Sequence, residues 1–173
     1  MGSVFSKFVA CLFVVVGMCL TTGSLADESF DPIAEFDEWA LFQDEGACWV
    51  TSNPVFISKQ EEAAENYYMF VSFFFGSAEP EISYYLNGSG GDDRVAYAGE
   101  EVSDLFFHED TYYPYAEDDI TFLMGMLKSD RVSIHQVGSD VPEVKFSLDG
   151  FREAYNEAAR VCEFNSFDTD NKV

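Results

Sequence analysis

The chain has 173 residues, of which 32 are acidic and nine are lysine or arginine, for a formal charge of −23. That balance repels phosphate, which excludes a nucleic-acid partner and disfavours an anionic lipid surface. No zinc-ligand spacing, phosphate loop or dinucleotide fingerprint runs through the chain, so no cofactor is expected.

Lys7 precedes an apolar stretch of 13 residues, Phe8 to Leu20, and Ser24-Leu25-Ala26 puts small residues where a signal peptidase needs them. This predicts a signal peptide over residues 1–26, cleaved after Ala26, because the stretch is the length of an h-region and too short to span a bilayer. A retained N-terminal anchor is the alternative. "MGSVFS" matches the myristoylation pattern, but a full h-region lies directly behind it, and Met18 is a poor residue before a lipidated Cys19. The expected location is therefore outside the cytoplasm: the periplasm first, the surface or medium second. Export removes Cys11 and Cys19, leaving Cys48 and Cys162, which an oxidising compartment would pair as one disulfide. The bond would close a loop of about 115 residues, worth about 4–5 kcal/mol in the chain-entropy model.

Residues 27–36 read as a flexible lead-in. "EWALF" (38–42) and "CWVTS" (48–52) read as two strands around the acidic turn "QDEG". The Gly-Ala-Cys-Trp run at 46–49 resembles a papain-like nucleophile context. Residue 45 is glutamate where that motif wants its first cysteine, and a histidine about 130–150 residues downstream would fall past the chain's end. "SKQEEAAEN" (58–66) reads as a loop or short helical turn. "YYMFVSFFFG" (67–76) is the strongest strand signal, with apolar residues on both faces. It predicts a central strand covered on both sides, its aromatic residues serving the core rather than a ligand or sugar platform. "EISYYLN" (81–87) should form a hairpin with it, followed by the loop "GSGGDD" (88–93). The Asn87-to-Gly91 run echoes a serine-protease loop but lacks the aspartate before Ser89.

"RVAYAG" (94–99) and "VSDLFFHED" (102–110) read as strands, and "TYYPY" (111–115) as an aromatic turn capping the core. Residues 117–128 predict a helix with Ile120, Leu123, Met124 and Leu127 on its apolar face. In the strand "RVSIHQV" (131–137), Val132, Ile134 and Gln136 share one face and His135 lies on the other, at the surface. "EVKFSL" (143–148) is the last strand. Residues 149–163 predict a second helix whose buried stripe is Phe151, Ala154, Tyr155, Ala158 and Cys162. Residues 165–173 read as a frayed tail. If Cys48 points at this helix, period-two alternation sends Trp49 to the opposite side of the sheet. The fold class is mainly β: an antiparallel, sandwich-like single domain over 37–164 with two packed helices, an α+β arrangement being the alternative.

The order Trp39, Leu41, Phe42, Cys48-Trp49, Ser52, Pro54, Leu105-Phe106, Pro114, Asp118-Asp119, "FSLDGF" (146–151), Ala154 and Cys162 resembles the invasion-associated locus B family of exported bacterial proteins, over residues 37–162. "FSLxGF" leading into a helix is its most specific piece. The resemblance implies an exported, periplasmic domain without established enzymatic activity, and it does not imply a role in invasion. "QEEAAEN" and "KSD" are less basic than the corresponding family segments, so no partner that relies on positive charge carries over. The expected function is thus non-enzymatic: an envelope or interaction protein with a protein or cell-envelope partner, no catalytic or metal-binding residues, and no membrane span once the signal is removed. Two alternatives stand beside it. One is a calcium-binding or salt-adapted acidic domain, on "DD" (92–93), "EDD" (117–119) and "DTD" (168–170), none of which fits an EF-hand loop. The other is a hydrolase, which needs two carboxylates with perturbed proton affinity facing one cleft.

Overall fold

A computed structural model describes residues 31–58, 67–77, 79–87, 92–115 and 118–163. The predicted signal peptide, nearly all of the segment 58–66, most of the loop 88–93 and the tail 165–173 lie outside those residues. The described strands are β1 (Ala34–Phe36), β2 (Trp39–Asp44), β3 (Ala47–Ser52), β4 (Pro54–Ile57), β5 (Tyr67–Phe74), β6 (Glu81–Leu86), β7 (Arg94–Ala98), β8 (Glu101–His108), β9 (Thr111–Pro114), β10 (Arg131–Gln136) and β11 (Val144–Ser147). Helix α1 spans Asp119–Met126 and α2 spans Phe151–Val161.

All eleven strands belong to one antiparallel sheet, in the order β1-β2-β3-β5-β6-β9-β8-β7-β10-β11-β4. A sheet this wide curls, and its own chain closes the curl. Only Asn53 separates β3 from β4, yet β3 pairs with β5 and β4 pairs with β11. The two strands act as halves of one bent strand joining the sheet's ends. Tyr84 on β6 and Phe146 on β11 stand far apart in that order, yet their rings lie 6.3 Å apart. The sheet is therefore wrapped around a common core, and the expected mainly-β domain with two packed helices takes its layering from one continuous sheet.

Alternation assigns the faces. Tyr67, Met69, Val71 and Phe73 of β5 are fully buried, as are Cys48 and Val50 of β3 and Trp39 and Leu41 of β2. Helix α2 covers this inner surface: Phe151 meets Trp39 at 4.7 Å and Tyr155 meets Phe73 at 5.3 Å between ring centroids. Its predicted stripe, Phe151, Ala154, Tyr155, Ala158 and Cys162, is buried as expected. Helix α1 packs on β6, β7 and β8 through Phe122, Leu123 and Met126. Here the expected stripe is rotated, since Ile120 is exposed and Gly125 faces the sheet, where a Cβ would meet Glu101 at 2.6 Å.

Four further expectations are corrected. The lead-in is not unstructured throughout, because Ala34–Phe36 pair with β2 as β1. Strand β4 was not anticipated, since Pro54 lacks the backbone donor a strand interior wants; it sits at the strand's first position, where proline is tolerated. Thr111–Pro114 is strand β9 rather than a turn, with Tyr112 buried and Tyr115 exposed. Gln136 is exposed, while His135 is half-buried against Tyr97, 5.0 Å away.

Candidate functional site: an aromatic and acidic cleft on the outer sheet face

The alternation that sends Cys48 inward sends Trp49 outward. Cys48 is 0 % and Cys162 7 % exposed, and their sulfurs stand 1.97 Å apart, a bonded distance, across a sequence separation of 114. A sulfur so paired is no thiolate nucleophile. Nor are the histidines arranged around it: His108 faces Glu109, and His135 Nε2 and Nδ1 lie 3.2 Å from Ser133 Oγ and 3.3 Å from the Ser139 carbonyl.

The outer face of β2-β3-β5-β6 carries two groups of aromatic rings. Phe42 and Trp49 are directly paired across strands and stacked, with centroids 5.8 Å apart and planes 6° from parallel. Tyr68 stands 5.9 Å from Phe70 and 6.5 Å from its cross-strand partner Tyr85. Cross-strand aromatic pairs stabilise a sheet by about 0.2–1 kcal/mol each. These five rings are nonetheless only half-buried, so β5 is central without being covered on both sides. The strand's aromatic residues divide, Tyr67 and Phe73 serving the core and Tyr68 and Phe70 the outer face.

At the β1 end of this face lies a cleft of about 340 Å³, lined by Glu35, Asp37, Glu38, Ala40, Phe42, Thr51, Asn53 and Tyr68 among others. Its acidic rim is the β1–β2 turn, and the start of α2 fixes that turn. Asp37 adopts φ +48°, a left-handed conformation that aspartate tolerates better than most residues. The Glu38 N–H donates to the Asp149 carbonyl at 3.4 Å, and Trp39 Nε1–H donates to the Ser147 carbonyl at 3.0 Å. Gly150, at φ +81°, lets the Phe36 carbonyl approach so closely that a Cβ there would lie 2.2 Å from its oxygen. The "FSLDGF" segment is thus the clamp that holds the carboxylate-bearing turn against the sheet. Thr51 Oγ1, in the cleft wall, is buried without a hydrogen-bond partner among the described residues.

Two other clefts differ in charge balance. One, of about 170 Å³, is lined by Asp92, Arg94 and Glu143 among others. There the 4 %-exposed Arg94 pairs with the 12 %-exposed Glu143 at 2.8 Å, and its guanidinium also donates to the Tyr112 hydroxyl and lies over that ring. Burial works against the Arg94 charge, and the Glu143 hydrogen bond and charge outweigh it. The other cleft, of about 330 Å³, mixes Asp130, Asp149 and Glu38 with Arg131 and Lys145.

Outside all three clefts, Asp119 starts α1 with Oδ1 buried and unpartnered among the described residues, as is the fully buried hydroxyl of Tyr84. Desolvation first, then the charges of Glu81, Glu79 and Asp118, push the Asp119 carboxyl up to about 6. Burial also raises Glu81. Among the described residues no three His, Cys, Asp or Glu side chains gather as a metal site.

Sequence reasoning located the disulfide pair and the outward Trp49, and it missed the cleft. The usable signal was there, since Phe42, Trp49, Tyr68 and Phe70 all occupy the strand positions opposite the core set. No family model matches the chain, and neither does any curated protein or solved structure.

Proposed function

We propose that the protein is an exported, non-catalytic interaction protein of the bacterial envelope, of the kind the invasion-associated locus B family represents. One arrangement carries this: five aromatic rings stand half-exposed on the outer sheet face, Phe42 with Trp49 and Tyr68 with Phe70 and Tyr85, while a buried cysteine pair at bonding distance ties the inner face to α2. A pair held that way belongs in an oxidising compartment, and an aromatic surface left half-open is the usual sign of a contact site. The test is made on protein recovered from cells. Alkylation before and after reduction, with mass spectrometry of the N-terminus, should find a chain beginning at Asp27 whose Cys48 and Cys162 label only after reductant. A full-length chain with freely labelled thiols contradicts the proposal.

A further inference from the structure

We propose that the outer-face cleft binds the cationic side chains of a basic polypeptide segment, arginine or lysine set among apolar residues. The inference rests on the interaction reading above and names the partner's chemistry. Among the described residues, this cleft carries negative charge with no cation in its lining, unlike the two others. The second sets Arg94 against Asp92 and Glu143, and the third holds Arg131 and Lys145. Glu35, Asp37 and Glu38 supply the charge, and the rings of Phe42 and Tyr68 stand beside them. Carboxylates next to aromatic faces suit a guanidinium or ammonium group, which pairs with the first and stacks on the second.

A cavity of about 340 Å³ is at the small end for a ligand site, the scale of a side chain or two rather than a large cofactor. Beyond it, Trp49, Phe70 and Tyr85 extend an apolar lane along the same face for the residues flanking the cation. The acidic turn is held in advance by Asp149 and Gly150, so little ordering is lost on binding. The chain's charge of −23 rejects anionic ligands and steers basic ones toward the cleft.

The test titrates the exported, oxidised protein with a short synthetic peptide alternating arginine and leucine, and with the same peptide carrying citrulline for arginine. Tryptophan emission is the readout. The chain has two tryptophans, and Trp39 is buried while Trp49 is half-exposed in the aromatic row. The arginine peptide should give a saturable change that weakens with salt, and the citrulline peptide none. Glu35→Gln/Glu38→Gln should weaken binding about tenfold. Tyr68→Ala should weaken it similarly, with unfolding midpoints close to the parent's. Asp104→Asn/Glu109→Gln removes the same charge from exposed positions in β8 and in the turn after it, and should leave affinity unchanged. Loss of affinity in that control equal to the loss in the cleft variant means diffuse electrostatics and overturns the proposal, as does absence of binding. An exported, oxidised protein blind to the peptide refutes the cleft's ligand alone. A reduced, unprocessed protein that binds it refutes the export reading and leaves the cleft standing.

Discussion

Replacing both cysteines, Cys48→Ala with Cys162→Ala, removes the clasp without leaving a lone thiol. The pair closes 114 residues of sequence separation, and chain entropy over a loop of that length is worth about 5 kcal/mol. Both side chains are buried, so truncation adds roughly 1 kcal/mol of lost packing. A domain of this size is stable by about 5–15 kcal/mol, so the variant should lose a third of its stability or more. It should still fold, because α2 keeps its apolar stripe and the Phe151–Trp39 and Tyr155–Phe73 contacts. Urea unfolding followed by tryptophan emission reads the effect. The midpoint should fall, and the denaturant slope should rise, since the unfolded chain freed of its cross-link exposes more surface. A loss below about 1 kcal/mol with an unchanged slope would mean the sulfurs are unbonded thiols and the long-range clasp does not exist.

Gly150→Ala puts a Cβ against the Phe36 carbonyl at a φ that disfavours side chains, and should cost roughly 2 kcal/mol or more by thermal or urea unfolding. A near-neutral result would show that the turn is not clamped. Arg94→Met leaves Glu143 uncompensated and should cost about 3–5 kcal/mol, whereas Arg94→Met with Glu143→Leu should recover much of that. Equal losses in the two variants would contradict a paired interior charge. Asp119 has a folded value of about 6, above its ordinary 3.8, so the folded chain holds the proton more tightly. Its contribution is complete below pH 3.8 and is lost as pH rises through about 6. Asp119 is partly solvated, so the screened effect is about 1 kcal/mol. Asp119→Asn should therefore raise stability at pH 7 by about that much and flatten the profile between pH 4 and 7 relative to the parent. A variant less stable than the parent at pH 7 would show that the carboxylate is wanted there.

The parts of the fold that depend on local pattern could be read from the chain. The α2 stripe, the β5–β6 hairpin and the opposed Cys48 and Trp49 all follow from period and turn chemistry, and the cysteine pairing was expected because Cys48 and Cys162 are the two cysteines outside the predicted signal peptide. Strand β5 shows why the rest was not legible. Its aromatic residues alternate with other apolar ones, so period alone cannot tell a sealed face from a half-open one. Which of them Tyr68 and Phe70 occupy depends on whether anything packs above them. Residue pattern placed α1 and missed only the rotation of its face, because Gly125 rather than a bulky residue sits where the helix nears Glu101 and the Ala98 carbonyl. The cleft needs more still. Its acidic turn at 35–38 is positioned by Asp149 and Gly150, so the site exists only once distant segments meet. The "FSLDGF" run, the most specific piece of the family resemblance, seats that turn.

On the proposed reading, the outer face of β1, β2, β3 and β5 is the protein's contact surface and takes a basic segment. Backbone amide shifts followed during titration of the oxidised protein with the arginine–leucine peptide test it most directly. The largest changes should fall on Glu35–Glu38, Phe42, Thr51–Asn53 and Tyr68, with α2's buried stripe unmoved. Changes centred instead on the exposed rings of Phe106 and Tyr115, or none at saturating peptide, would contradict it.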